Sequence, residues 1–299
     1  MKKISIIFLI TISNLYSDMV RVDEMFTQKS SLRLEASIFY ANIQRQNNVI
    51  APVIIGSGIG SSPIFAIPAI LNTQKANQDY LNFGLNLRYG ITRDIEIFAA
   101  PSFFYQHTNI SDIGFSHQDD YNFNNFNMGF VYQVKKENKY PSLLVGATPI
   151  VIEKSLFDDK NTKSKMGNID YFKSYSIFAT SYYTVDPVIF LLQGGVRFSL
   201  KRKFDGHSLK IGDVLNLSPM VYFALNPYTS INFGVRYEYK FKDRLDNKVV
   251  VHQGSSIAYL FGVSYEINPA LMVSIDINSL DTNLYASNSV NVLFSYRLK

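Results

Sequence analysis

The chain has 299 residues, 47% of them apolar and 18% charged, with 20 Tyr, 23 Phe, no Trp and no Cys. Soluble domains carry roughly a quarter charged residues, and a disordered chain is poor in aromatics, so neither description fits. Without a thiol there is no disulfide scaffold or thiolate metal site, and a net charge of +5 without a large Lys/Arg cluster excludes a nucleic-acid surface.

Lys2 and Lys3 precede the apolar stretch Ile4–Ile12, and Ser13–Ser17 ends in a small residue before Asp18. Positive start, short apolar run and small terminal residue are the three parts of a secretory signal peptide; the run is too short to cross a bilayer as a helix. Cleavage is expected after Ser17, giving residues 1–17 as leader and 18–299 as the mature unit. No Cys follows the leader, so it is not a lipoprotein signal. Removing the two lysines takes the net charge from +5 to +3.

The remaining chain alternates with a period of two. After a first stretch over Ser31–Asn42, Leu81, Phe83, Leu85, Leu87 and Tyr89 oppose Asn82, Gly84, Asn86, Arg88 and Gly90. Similar stretches follow over Asp94–His107, Asn125–Val134, Ser142–Ile152, Tyr171–Thr184, Pro187–Lys201 and Val214–Leu225. Ile231–Phe241, Ser256–Glu266, Leu271–Asn278 and Val290–Leu298 complete the set. Alternation of this kind marks strands with one apolar and one polar face, and no sustained helical stripe competes with it. The expected fold is all-β: an antiparallel up-and-down transmembrane β-barrel of about twelve strands, an even number as such barrels require.

Three features separate this from a soluble sandwich. Several stretches run past the five or six residues typical of soluble strands. Connections alternate in length: short at Thr92-Arg93, Lys136–Tyr140, Val185-Asp186, Asn226-Pro227 and Asn268-Pro269, longer between them, with the last, Leu280–Asn283, only slightly so. Charge also keeps to the polar parity. Arg33, Glu35, Arg88, Glu96, Arg197, Arg236, Glu238, Glu266, Asp276 and Arg297 all oppose the apolar set of their strand. A Lys or Arg facing lipid at mid-bilayer costs about 2–4 kcal/mol, so these ten are expected to point inward and line the lumen. They would either screen solutes or pair into a network that closes a narrow barrel, and their balanced signs lean toward the second. Lys173, on the apolar parity, fits only as a snorkelling interfacial residue. Tyr132, Tyr237, Tyr239, Tyr265 and Tyr296 lie near strand ends on the apolar parity, suited to headgroup depth.

The first loop, 43–79, contains an uncharged stretch from Gln46 to Gln74. It is expected either to fold inward as a plug, presenting Ile54, Ile59, Ile64, Phe65 and Ile67, or to pack at the surface on itself or on lipopolysaccharide. Pro52, Pro63 and Pro68 make a membrane helix there costly. The last strand alternates Val290, Val292, Phe294, Tyr296 and Leu298, similar to the terminal insertion signal of bacterial outer-membrane barrels, though Leu298 stands where Phe is usual and Lys299 follows. None of the four His has the spacing for a catalytic pair or a metal site, so no catalysis, cofactor or metal is expected.

Gly84 to Pro101 reads GLNLRYGITRDIEIFAAP. Gly84, Arg88, Tyr89, Gly90, Thr92, Glu96 and Pro101 resemble the strand–turn–strand signature of barrel proteins grouped as transporters of the meta-cleavage pathway of phenol degradation. The resemblance implies passage of small, often aromatic or hydrophobic, compounds across an outer membrane. The spacing itself sets Arg88 and Glu96 at one rim, both inward, within reach of each other. The sequence thus leads to an exported, monomeric barrel in a Gram-negative outer membrane. Its partners would be lipid, lipopolysaccharide, the insertion machinery and small solutes, with passive uptake as its role. A closed barrel serving as a surface structural protein or adhesin is the alternative.

Overall fold

The computed structural model describes residues 26–45, 53–56, 64–67, 76–110, 116–154, 171–204, 207–281 and 285–298. The expected leader lies outside them. Twelve strands close into a single antiparallel barrel. In chain order they are β1 (Leu32–Arg45), β2 (Ala76–Gly90), β3 (Ile95–Ile110), β4 (Ser116–Lys135), β5 (Leu143–Lys154) and β6 (Tyr171–Val185). The second half comprises β7 (Val188–Ser199), β8 (Val214–Asn226), β9 (Thr229–Lys240), β10 (Gly254–Asn268), β11 (Leu271–Asp281) and β12 (Tyr285–Leu298). Each strand pairs with its neighbour in sequence. β1 closes the wall on β12 in unbroken register, from Leu32 opposite Leu298 to Arg45 opposite Tyr285.

Closure leaves no unpaired edge, and the wall has two faces. Outward stand the apolar sets read from the alternation: Phe233 is 57% exposed and Ile177 52%. Burying such a side chain is worth roughly 1.5–3 kcal/mol, so a wall presenting row after row of them is not built for water. Tyr89, Tyr132, Tyr265 and Tyr296 lie outward at the rim of short turns; Tyr40, Tyr105, Tyr175, Tyr237 and Tyr259 lie outward toward the other rim. Two tyrosine tiers flanking an apolar band of aliphatic and Phe side chains match the aromatic girdles of a membrane barrel.

Short turns gather at one rim and long connections at the other. The Asn-Pro turns form because the Asn side chain accepts the backbone N–H two residues on: Tyr228 N donates to Asn226 Oδ1 at 2.9 Å and Ala270 N to Asn268 Oδ1 at 2.9 Å. At the long-loop rim the wall runs further than the apolar alternation indicates. β2 begins at Ala76, β3 runs to Ile110 and β4 begins at Ser116, so much of the interval between the Asp94–His107 and Asn125–Val134 stretches is strand. In the β2 extension polar residues fall on both faces, Asn77 and Asp79 on one and Gln78 on the other, and this erases the alternation there. The loops after β7 and β9 also carry short strands, Arg202–Phe204, His207–Lys210, Asp243–Leu245 and Lys248–Val251, joined in a separate four-stranded sheet. Asp246 and Asn247, with φ of 49° and 65°, form the two-residue turn that such a hairpin favours. The first loop carries a two-stranded hairpin, Val53–Gly56 with Ile64–Ile67.

Candidate functional site: the barrel lumen

At the short-turn end, the register sets three arginines side by side on adjacent strands: Arg297 of β12, Arg33 of β1 and Arg88 of β2. Like charges in such a row repel, and carboxylates interleave to offset this. Arg88 Nη2 lies 2.6 Å from Glu96 Oε1 on β3, and Arg88 Nη1 lies 3.3 Å from Glu35 Oε1. Asn86 donates to the second Glu35 oxygen at 2.7 Å. The Arg88 and Glu96 side chains are 2% and 0% exposed, so this is a buried pair and not a surface ion pair. Arg33, Arg297, Glu266 and Ser295 share a small cavity beside it.

Residues just before β1 turn into this end. Thr27 N donates to the free oxygen of Glu96 at 2.6 Å, and Ser30 N donates to Gly90 O at 2.7 Å. A side chain at Gly90 would put its Cβ 2.1 Å from the carbonyl oxygen of Gln28, so only glycine lets the strap lie against β2. The strap carries Phe26 into an apolar cluster with Phe98, Val131, Leu144, Phe178, Tyr182, Ile189, Leu191 and Tyr222. These project inward from β3 to β8, so at the short-turn end one wall is charged and the opposite wall apolar.

Toward the long-loop rim the sides exchange. Phe39, Ala41, Ile43, Tyr80 and Phe104 pack together on β1–β3; Tyr80 stacks on Phe104 with ring centres 5.7 Å apart and meets Phe39 edge-on at 6.5 Å. Charges now sit across the barrel. Arg197 on β7 pairs with Glu153 on β5 and donates to Ser174 at 3.1 Å; Arg236 Nε lies 2.9 Å from Glu238 Oε1 on β9. On β11, Asp276 accepts from Asn232 at 3.3 Å. They meet over Gly262, where a Cβ would lie 2.2 Å from Asp276 Oδ1.

Between the two ends most inward residues are neutral and polar: Asn127, Ser102, Thr148, Ser176, Thr180, Gln193, Asn216 and Ser218, all buried, with Phe178 and Asp276 among them. Among the described residues, the side-chain oxygens of Ser102, Thr148, Ser176 and Thr180, Gln193 Nε2 and both polar atoms of the Asn216 amide have no hydrogen-bond partner. A dry protein core pairs more than nine in ten of its buried polar groups, so this belt is chemically unlike one.

No family model and no curated protein matches the sequence. Solved structures do match. An outer-membrane channel of Pseudomonas putida F1 superposes with a TM-score of 0.62 at 8% identity, covering 91% of this chain and 98% of that one. The translocator domain of the autotransporter NalP of Neisseria meningitidis gives 0.52 at 10% identity, over 92% and 91%. The β domain of the Bordetella autotransporter BrkA gives 0.53 at 8% identity, over 90% and 100%. At such identities the likeness is one of fold. The fold is that of an outer-membrane β-barrel.

In an outer-membrane barrel short turns face the periplasm and long loops the exterior. The strap and the Arg88 cluster therefore lie at the periplasmic mouth, together with Arg33, Glu35, Glu96, Glu266 and Arg297. Arg197, Arg236 and Glu238 lie in the outer half, and Asp276 midway. Of the first-loop residues, Ile54, Ile64, Phe65 and Ile67 fall in the hairpin, and Ile59 lies outside the described residues. Glu153 escaped the sequence reading, which ended its strand at Ile152. A bulge between Thr148 and Val151 shifts the parity there and turns Glu153 inward to Arg197. His107 Nδ1 lies 2.7 Å from Asp119 Oδ1, with His107 half-buried and Asp119 exposed on the outer face, away from the lumen.

Proposed function

We propose that the chain is a passive outer-membrane channel for small solutes. The observation that carries this is the belt of neutral amide and hydroxyl groups at mid-lumen, whose unpaired atoms call for water or a polar solute. The ten inward charges line the path. Their pairing in oppositely charged sets gives the mouths little net preference for either sign, so width and hydrogen bonding set the selectivity. The rings of Phe39, Tyr80 and Phe104 in the outer half, and of Phe98, Phe178 and Tyr222 in the inner half, suit a small aromatic solute carrying polar groups. The resemblance of residues 84–101 to the phenol-pathway transporters supports the same class. The uncharged first loop serves as a plug in this reading, with Ile54, Ile59, Ile64, Phe65 and Ile67 as its apolar contacts.

Export by a signal peptide cleaved after Ser17, assembly by the outer-membrane insertion machinery and a monomeric state complete the proposal, which includes no catalytic step and no metal or cofactor. The buried pairs Arg88–Glu96 and Arg197–Glu153 favour a second reading, a closed barrel serving a structural or adhesive role. Liposome swelling separates the two. The purified chain is expected to admit phenol-sized uncharged solutes, and faster with 46–74 deleted. No conductance and no swelling in either form sinks the channel.

A further inference from the structure

The lumen charges do not balance. Against the arginines 33, 88, 197, 236 and 297 stand the carboxylates of Glu35, Glu96, Glu153, Glu238, Glu266 and Asp276, one more than the cations. Arg88 holds Glu35 and Glu96, Arg197 holds Glu153, and Arg236 holds Glu238. Glu266 shares its cavity with Arg33 and Arg297. Asp276 is left over. Among the described residues it has no cation partner, and its carboxylate accepts from Asn232 Nδ2 at 3.3 Å. A carboxylate drawn out of water without a cation is costly, so this position favours a positively charged occupant.

The wall around Asp276 is shaped for one. Gly262 of β10 stands between Asp276 and Asn232, opposite each in register. A Cβ there would lie 2.2 Å from Asp276 Oδ1 and 2.5 Å from Asn232 Nδ2, so bare backbone is what lets the carboxylate lean across β10 to the amide. Asn232 is 4% exposed, yet its Oδ1 has no hydrogen-bond partner. Carboxylate and amide oxygen are thus neighbouring acceptors short of donors. Aromatic rings stand on both flanks. Tyr222 of β8 is opposite Asn232, near enough to Asp276 for the two side chains to interact electrostatically. On the other flank Asn291 of β12 is opposite Asp276, and Phe39 of β1 is opposite Asn291. Tyr222 belongs to the inner apolar cluster and Phe39 to the outer one, so the unmatched charge sits where the apolar lining changes sides.

We propose that Asp276 determines the specificity of the channel, forming with Asn232 Oδ1 a subsite for an organic ammonium ion with an aromatic body. The ammonium N–H groups donate to the carboxylate and the amide oxygen, and the body rests against Tyr222 or Phe39, whose ring faces also attract a cation. A neutral solute leaves the carboxylate unmatched, and an organic anion meets like charge. A hard metal ion such as calcium takes about six or more oxygens, and no group of three His, Asp or Glu suited to a metal occurs among the described residues. The subsite rests on the channel reading for its place in the path of the solute, but binding itself does not require conduction.

The test titrates the full chain in nonionic detergent at neutral pH with phenethylammonium, phenethyl alcohol and phenylacetate, which share a ring and differ in the head group. The ammonium is expected to bind tightest. Asp276→Asn is expected to weaken it on the order of tenfold, the worth of one charge-assisted hydrogen bond, and to leave the alcohol unchanged. Asp276→Glu, which keeps the charge, is expected to retain the preference. Equal binding by Asp276→Asn, a preference for the alcohol or the anion, or displacement by sodium at equal concentration would each overturn the subsite. In planar bilayers the ammonium is expected to reduce the conductance of the unaltered chain and to spare Asp276→Asn. Ammonium binding without any conductance sustains the subsite and sinks the channel; conductance without an ammonium preference sinks the subsite alone. The folded state of each variant is checked by its resistance to unfolding in detergent before heating.

Discussion

Replacing Phe233 with Arg is expected to cost the folded barrel about 2–4 kcal/mol in a lipid bilayer, enough to lower its urea midpoint clearly. Phe233 lies on β9 with its ring outward, opposite Val221 of β8 and Phe261 of β10 in the middle of the apolar band. A guanidinium there has no water and no carboxylate within the outward row. The adjacent Asn232→Arg places the same charge inward, where the Asp276 carboxylate offsets it, and is expected to cost less, through crowding over Gly262 alone. A one-residue shift thus separates a large effect from a small one. Equal losses at both positions would mean that the outward face is not in lipid.

Arg88→Ala is the second large expected effect, about 3–5 kcal/mol, because it leaves Glu35 and Glu96 buried without their cation. The nearby Arg33 and Arg297 then face two unmatched carboxylates. The loss spreads to the strap, since Glu96 also holds Thr27 N. Unfolding of Arg88→Ala, Glu96→Gln and the double variant gives the coupling directly. We expect the double variant to be more stable than Arg88→Ala alone, because removing the stranded charge relieves part of the penalty. Additive losses would show that the two side chains do not act as a pair.

The two faces of the wall were legible because lipid and lumen impose opposite chemistry on alternate residues. That is why parity alone sets Arg33, Arg88, Glu96, Arg236 and Arg297 on one side, and why the spacing sets Arg88 and Glu96 within reach of each other. Bulges hid what followed them. The extra residue between Asn125 and Phe123, opposite Ser102 and Phe103, and the shift before Val151 each reverse the parity, so period alone does not reach Asn124 and Glu153. The alternation stops short of the long-loop rim for a related reason: the sequence of Ser116–Asn122 contains no apolar row. The mid-lumen belt was invisible for another, since Asn, Ser and Thr opposite an apolar set read simply as the polar side of a strand. Only their convergence in space distinguishes them.

The chain has no cysteine, so a single Cys can be placed at will. The account's central claim is that the belt side of the wall meets water and the other side meets lipid tails. Single Cys variants at Ser102, Thr180 and Asn216, and at the outward Leu85, Phe233 and Ile277, put that claim to a membrane-impermeant methanethiosulfonate reagent in liposomes. Modification is predicted at the three lumen positions, with a drop in conductance at each, and none at the outward three. Reaction at Leu85, Phe233 and Ile277 with silence at Ser102, Thr180 and Asn216 would contradict it.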